Sequence, residues 1–148
     1  MSIFSSFNIN ASGMTAQRYR MDIISENVAN ADTTRTADGT PYRRKVVTFE
    51  QRGEAVGSFS QVFNSASEGY KGQGVRVSKV TEDTWNDKVM AYDPSHPDAD
   101  ENGYVTYPNV NIVTEMTNLI DASRSYEANA TAFNASKSIA IKGLEMAQ

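Results

Sequence analysis

From Asn111 to Gln148 the chain contains no proline, and its only glycine is Gly143, near the end. Within that stretch Ile112, Leu119, Tyr126, Phe133, Ala140 and Ala147 recur every seven residues, followed four positions later by Met116, Ser123, Ala130, Lys137 and Leu144. A sustained seven-residue apolar repeat predicts a helix that packs lengthwise against a partner. About 35 residues at 1.5 Å each reach roughly 50 Å. A domain of this length has a radius of gyration of only about 15 Å. The helix therefore projects, or it lies against an equally long neighbour. Its segment "ANATAFNAS", Ala128 to Ser136, carries no charge and little bulk apart from Phe133. Small neutral residues all round suit a helix inside a packed assembly.

The N-terminal third supplies a candidate partner. Phe7, Met14, Met21 and Val28 are spaced by seven, Ala11 and Ile24 fill the same side, and Gln17 interrupts it. This predicts a long helix from Ile3 to Ala29, in which Gly13 costs about 1 kcal/mol against alanine. The middle changes character. "PYRRKVVTFEQ", "GVRVSKV", "KVMAYD" and "GYVTYP" are rich in Val, Tyr, Phe and Thr and are bounded by Gly, Pro, Asp and Ser, which predicts short antiparallel strands. Residues 51–74, rich in Ser, Gly and Gln, read as a flexible loop. The expected fold class is α+β. Long N- and C-terminal helices, 1–31 and 110–148, pair as a coiled-coil inner domain. A small mainly-β outer domain spans 32–109.

Composition narrows the function. The chain has 148 residues and a net charge of −4, which argues against a nucleic-acid binder with its concentrated basic surface. Cysteine is absent, which removes disulfides, thiol nucleophiles and thiolate metal sites. Hydrophobic residues make up 39%, on the low side for a self-sufficient globule, so neighbouring chains are expected to complete the core. No apolar run approaches the ~20 residues needed to cross a bilayer. "MSIFSSFNINASGM" has neither the basic start nor the apolar stretch of a cleavable signal. A cytosolic protein is the simplest reading. Work outside the cytoplasm would need a dedicated exporter.

Candidate chemistry is sparse. Asp98, Asp100, Asn102 and Gly103 match the first half of an EF-hand loop, but its twelfth position is Asn109 rather than a bidentate Glu, and two prolines interrupt the incoming "YDPSHP". A polar turn is the better account, with a small Ca²⁺-binding module as the alternative. His96 is the lone histidine and has no nucleophile or second imidazole pattern beside it. Arg43 to Lys45 read as a solvated or partner-facing strand, with Arg44 on the opposite face from its neighbours. The glycines of "GYKGQGVRV" precede a strand, where a phosphate loop would open a helix. Three sequons, at Asn10, Asn129 and Asn134, fall in predicted helices, which disfavours glycosylation. No catalytic, cofactor or metal site is expected. A cytosolic coiled-coil adaptor is a further rival reading.

"SENVANADTT", Ser25 to Thr34, resembles the signature S-x-N-[IV]-A-N-x-[ND]-T that follows the first helix of bacterial flagellar axial proteins, the rod and hook family. Ser25, Asn27, Val28, Ala29, Asn30, Asp32 and Thr33 match it position by position. The segment from Tyr92 to Ala135, with "DPSHPDAD", "YPNVN" and "ASRSYEAN", resembles the proximal-rod branch of that family. The C-terminal block is the more specific, and the likeness is weakest over residues 51–74. The resemblance implies a structural subunit of a hollow proximal rod that stacks helically and transmits torque. Implied partners are other proximal and distal rod proteins, the ring-rod adaptor, copies of the chain itself and the flagellar type III export apparatus. It also implies export without a cleaved signal, no cofactor and no bilayer insertion. The expected assembly interface is Phe7, Met14, Met21, Ile24, Asn27, Val28 and Asn30 on the first helix. On the second it is Ile112, Met116, Leu119, Tyr126, Phe133 and Leu144.

Overall fold

A computed structural model describes residues 3–52 and 73–146. The loop expected at 51–74 lies almost wholly outside them. The element order is α1 (Ile3–Ala29), β1 (Lys45–Gln51), β2 (Val75–Glu82), β3 (Val89–Tyr92), β4 (Tyr104–Tyr107) and α2 (Ile112–Glu145). β1 pairs with β2 and β3 with β4, making two separate two-stranded sheets. In the second sheet the strands are antiparallel, with Val89 opposite Tyr107 and Tyr92 opposite Tyr104. All four strand segments and both long helices expected from the sequence are present. The α+β class holds.

The chain forms two compact units. One draws its described residues from 3–18, 49–52, 73–78 and 123–146; the other comprises Tyr19–Thr48 and Lys79–Ala122. Each helix, and each strand of the first sheet, contributes residues to both.

In the first unit the start of α1 runs antiparallel to the later part of α2. The Phe7 and Phe133 rings meet at 5.0 Å between centroids, and Gly13 faces Asn129. A Cβ on Gly13 would come within 2.6 Å of Asn129 Oδ1 and 2.9 Å of its Cγ. The glycine that weakens α1 locally is what lets the helices approach there. Ser12 and Ala16 are buried on the same side. Ser12 Oγ donates to Ile9 O at 2.7 Å and accepts the Val75 N–H at 3.1 Å, tying α1 to the start of β2. Gly74, just before that strand, has φ +92° and no room for a Cβ, which would lie 2.2 Å from Ser12 Oγ. Glycine is required there both for the left-handed backbone and for the approach.

The second unit has a more polar interior. Ile24, Ala31, Tyr42, Val105 and Ala122 form its apolar core. Yet of its three largest fully buried side chains, Glu115, Val105 and Asn27, two are polar. α2 begins with a cap: Asn111 Oδ1 accepts the Thr114 N–H at 3.1 Å. The "DPSHPDADENG" segment is a run of turns. Asp93 Oδ1 accepts from Ser95 N at 3.1 Å and Ser95 Oγ at 2.6 Å, and these bonds, the hydroxyl's first, hold its carboxyl below the usual range. His96 Nδ1 accepts the Asp98 N–H at 3.1 Å, so the lone imidazole serves the turn.

The seam on α2 has a different phase from the sequence reading. Leu119, Tyr126 and Phe133 are half-buried as expected. The companion line, however, lies three residues beyond Ile112 and its repeats: Glu115 and Ala122 are buried, Asn129 and Ser136 half-buried. Met116 is 56% exposed, Leu144 71% and Ile112 43%, so among the described residues these three lie outside the buried line. The physical reason is that polar and small residues occupy the inward positions while isoleucine and methionine point out. On α1, Ile24 is buried, and Phe7, Met14, Met21 and Val28 are half-buried.

Candidate functional site

The second unit is organised around Asn27, in the middle of "SENVANADTT". Its side chain is wholly buried and makes four hydrogen bonds. Nδ2 donates to Lys45 O and to Glu115 Oε2, each at 2.9 Å. Oδ1 accepts from Lys45 N at 2.8 Å and from Tyr42 Oη at 2.9 Å. An amide has two donors and one acceptor oxygen with two lone pairs, so this residue is saturated. It joins the end of α1, the chain entering β1 and the start of α2.

Glu115 is the second node. Its side chain is 1% exposed, and Arg44 supplies the counter-charge. Oε1 accepts from Arg44 Nη2 at 2.7 Å and Nε at 2.9 Å, and Asn118 Nδ2 approaches it at 3.3 Å. A buried carboxylate without such partners would cost several kcal/mol. Arg44 Nη1 also reaches Asp83 Oδ2 at 3.5 Å. Its backbone N–H donates to Asn109 Oδ1 at 3.0 Å. Arg44 is therefore not the solvated strand residue that the "RRK" run suggests. Beside it, Lys45 Nζ pairs with Glu26.

Two pKa shifts follow from this packing. Burial, reinforced by Glu26, Glu115 and Glu82, pushes the Tyr42 hydroxyl up to about 12. The Asn86 side-chain amide, backbone N–H groups and Arg44 hold the Asp83 carboxyl below the usual carboxylate range.

Of the expected interface residues, the structure brings Asn27 and Ile24 into the second unit's core, and Phe7 against Phe133 in the first. Asn30 stays local. Its Nδ2 donates to Glu26 O at 2.9 Å, and its Oδ1 accepts from Thr33 Oγ1 at 3.2 Å, finishing α1. The sequence reading missed Tyr42, Arg44, Asp83, Asn109 and Glu115. No local signal marked them: Glu115 reads as one more polar residue on a helix whose other inward positions include Asn129 and Ser136.

The arrangement ties the end of α1, the entry to β1 and the start of α2 together. Among the described residues no group of three or more His, Asp or Glu side chains could hold a metal ion. Asp100 Oδ1 accepts the N–H groups of Asn102 and Tyr104, at 2.9 and 2.8 Å, and Asp98 Oδ2 accepts the Thr34 hydroxyl at 2.8 Å. Asp100 thus holds its own turn, and Asp98 ties that turn to Thr34 and Arg35. Among the described residues no helix is long and apolar enough to cross a membrane.

Comparison with known proteins gives the class to which the chain belongs. The family model for flagella basal body rod proteins matches residues 7–35, and the model for the C-terminal part of the flagellar basal body rod FlgEFG proteins matches residues 101–146. The chain is 49% identical to the flagellar basal-body rod protein FlgC of Bacillus subtilis, with 99% of each chain covered. It is 45% identical to that of Borreliella burgdorferi, covering 100% of this chain and 99% of the relative. It is 38% identical to that of Salmonella typhimurium over the full length of both. The chain belongs to the FlgC family of flagellar basal-body rod proteins and is a structural subunit of that class.

Proposed function

We propose that the protein is a proximal-rod subunit, stacking helically with copies of itself and with other proximal and distal rod proteins into a hollow shaft that transmits torque. The residues outside 32–109 form the inner, helix-paired domain, and 32–109 the outer one. The ring-rod adaptor bounds the assembly, and the flagellar type III apparatus delivers the chain.

One observation carries the reading. Ile112, Met116 and Ile120 follow each other at four-residue spacing on α2 with Val113 beside them, and all are 43–75% exposed. Four residues apart on a helix are surface neighbours, so this is a continuous apolar stripe. Apolar stripes of this kind mark protein contacts. Ile139, Ile141, Leu144 and Met146 are exposed in the same way toward the other end of α2. Ile112, Met116 and Leu144, absent from the intrachain seam, are available to neighbouring subunits. A rod subunit acts by packing and needs no catalytic group.

Met116→Glu combined with Ile120→Glu tests the reading. The variant should keep its far-UV circular dichroism while failing to restore swimming or basal-body rods to a strain lacking the native protein. Normal motility from the variant would refute the stripe as an assembly surface.

A further inference from the structure

The seven-residue repeat of α2 admits two seams one residue apart. Leu119 packs inward in both. The structure joins it with Glu115 and Ala122, whereas the apolar pattern joins it with Met116 and Ser123. Successive helical residues lie about 100° apart, so a rotation of about 50° separates the two arrangements. Burial of apolar area favours the second. It takes Met116, now 56% exposed, out of water, brings Ile120 nearer the seam and returns a carboxylate to solvent. The chain nevertheless adopts the first.

Direction decides against area. Glu115 Oε1 accepts from Arg44 Nη2 and Nε at 2.7 and 2.9 Å, and Oε2 accepts from Asn27 Nδ2 at 2.9 Å. Charge-assisted bonds of this kind need defined angles, so they form only with position 115 turned inward. Apolar contact carries no such demand. The groups that receive the carboxylate do not turn with α2. Arg44 is anchored by its own N–H on Asn109 Oδ1 at 3.0 Å, and Asn27 by the Lys45 N–H and carbonyl at 2.8 and 2.9 Å.

We propose that Arg44, Glu115 and Asn27 select the rotational phase of α2, and so hold Met116 and Ile120 outward at the expense of buried apolar area. A buried polar group fixes register in coiled coils in the same way. The Arg44 and Glu115 side chains are 23% and 1% exposed and form no part of the stripe, yet they govern whether it is presented. The choice of phase stands by itself; its use in assembly rests on the reading given above.

Arg44→Met tests the selection. It removes the counter-charge and leaves Asp83 its bonds from Trp85 and Asn86. An unpaired buried carboxylate is driven back to water, and α2 achieves this by turning Met116 inward. The chain has no cysteine, so Met116→Cys supplies a single thiol whose reaction with a maleimide reports the phase. In full-length protein, dilute enough to sediment as single chains, that thiol should react nearly as fast as in concentrated urea while Arg44 is present. With Arg44→Met the rate should fall at least about tenfold, with the far-UV circular dichroism kept. Arg44→Lys, which retains the charge, should leave the rate high. An unchanged rate in Arg44→Met would overturn the selection, because the phase then holds without the pair. Loss of the helical signal would overturn it too, because no second phase is then open to the fold. In a strain lacking the native protein, Arg44→Met alone should fail to restore rods. Slow labelling with intact rods would leave the selection standing and overturn the stripe as an assembly surface.

Discussion

Asn27→Ala removes the node at which α1, the entry to β1 and α2 meet. The lost bond to the Glu115 carboxylate is worth about 1.5–3 kcal/mol, and the three neutral ones about 0.5–1.5 kcal/mol each. Water entering the vacated space recovers part of this, leaving a net loss of about 3–5 kcal/mol, against a typical total of about 5–15 kcal/mol. Asn30→Ala is the control. Asn30 is half-buried and makes only two local side-chain bonds, so its removal should cost less than about 1 kcal/mol. Both asparagines belong to the assembly interface that the family resemblance implies; the structure separates them. Two measurements check this. With a urea slope of about 2 kcal/mol per molar, the Asn27→Ala midpoint should fall by about 2 M, and that of Asn30→Ala by less than about 0.5 M. The Lys45 amide donates to Asn27 Oδ1, and its hydrogen exchange should accelerate by about a thousandfold. Equal losses from the two substitutions, or a loss below about 1 kcal/mol for Asn27→Ala, would refute the reasoning.

Tyr42 gives a pH dependence. Its folded pKa of about 12 lies above the ordinary 10, so the neutral hydroxyl is favoured by folding. That contribution is complete below pH 10 and is lost as pH rises through 10 toward 12. Alkaline denaturation followed by circular dichroism should show this loss in the native protein and a flatter profile in Tyr42→Phe, which should also be about 1–2 kcal/mol less stable at neutral pH. Gly13→Ala should destabilise the protein by about 1–2 kcal/mol, because the new methyl meets Asn129. In an Asn129→Ala background the same change should reverse sign and stabilise by up to about 1 kcal/mol through helix propensity. Urea midpoints of the four proteins close that cycle, and a change of one sign in both backgrounds would refute the close approach.

Local pattern determined a good deal about this protein. Two long helices and four short strands were legible because periodicity and turn residues act over a few positions, and Phe7, Ile24, Leu119, Tyr126 and Phe133 all pack inward to some degree. The family was legible from "SENVANADTT" and from the block between Tyr92 and Ala135. The tertiary structure alone decided the phase of the α2 seam and the meaning of Asn27. A binary pattern places Glu115 in water, and only the return of the chain sets Arg44 and Asn27 around it, 71 and 88 residues away in sequence. The sequence could likewise count Gly13 only as a weakness in α1. Its benefit, the space for Asn129, exists once a second helix arrives. Hydrogen bonds and close approaches between residues that distant depend on how the chain comes back, and no local spacing records that.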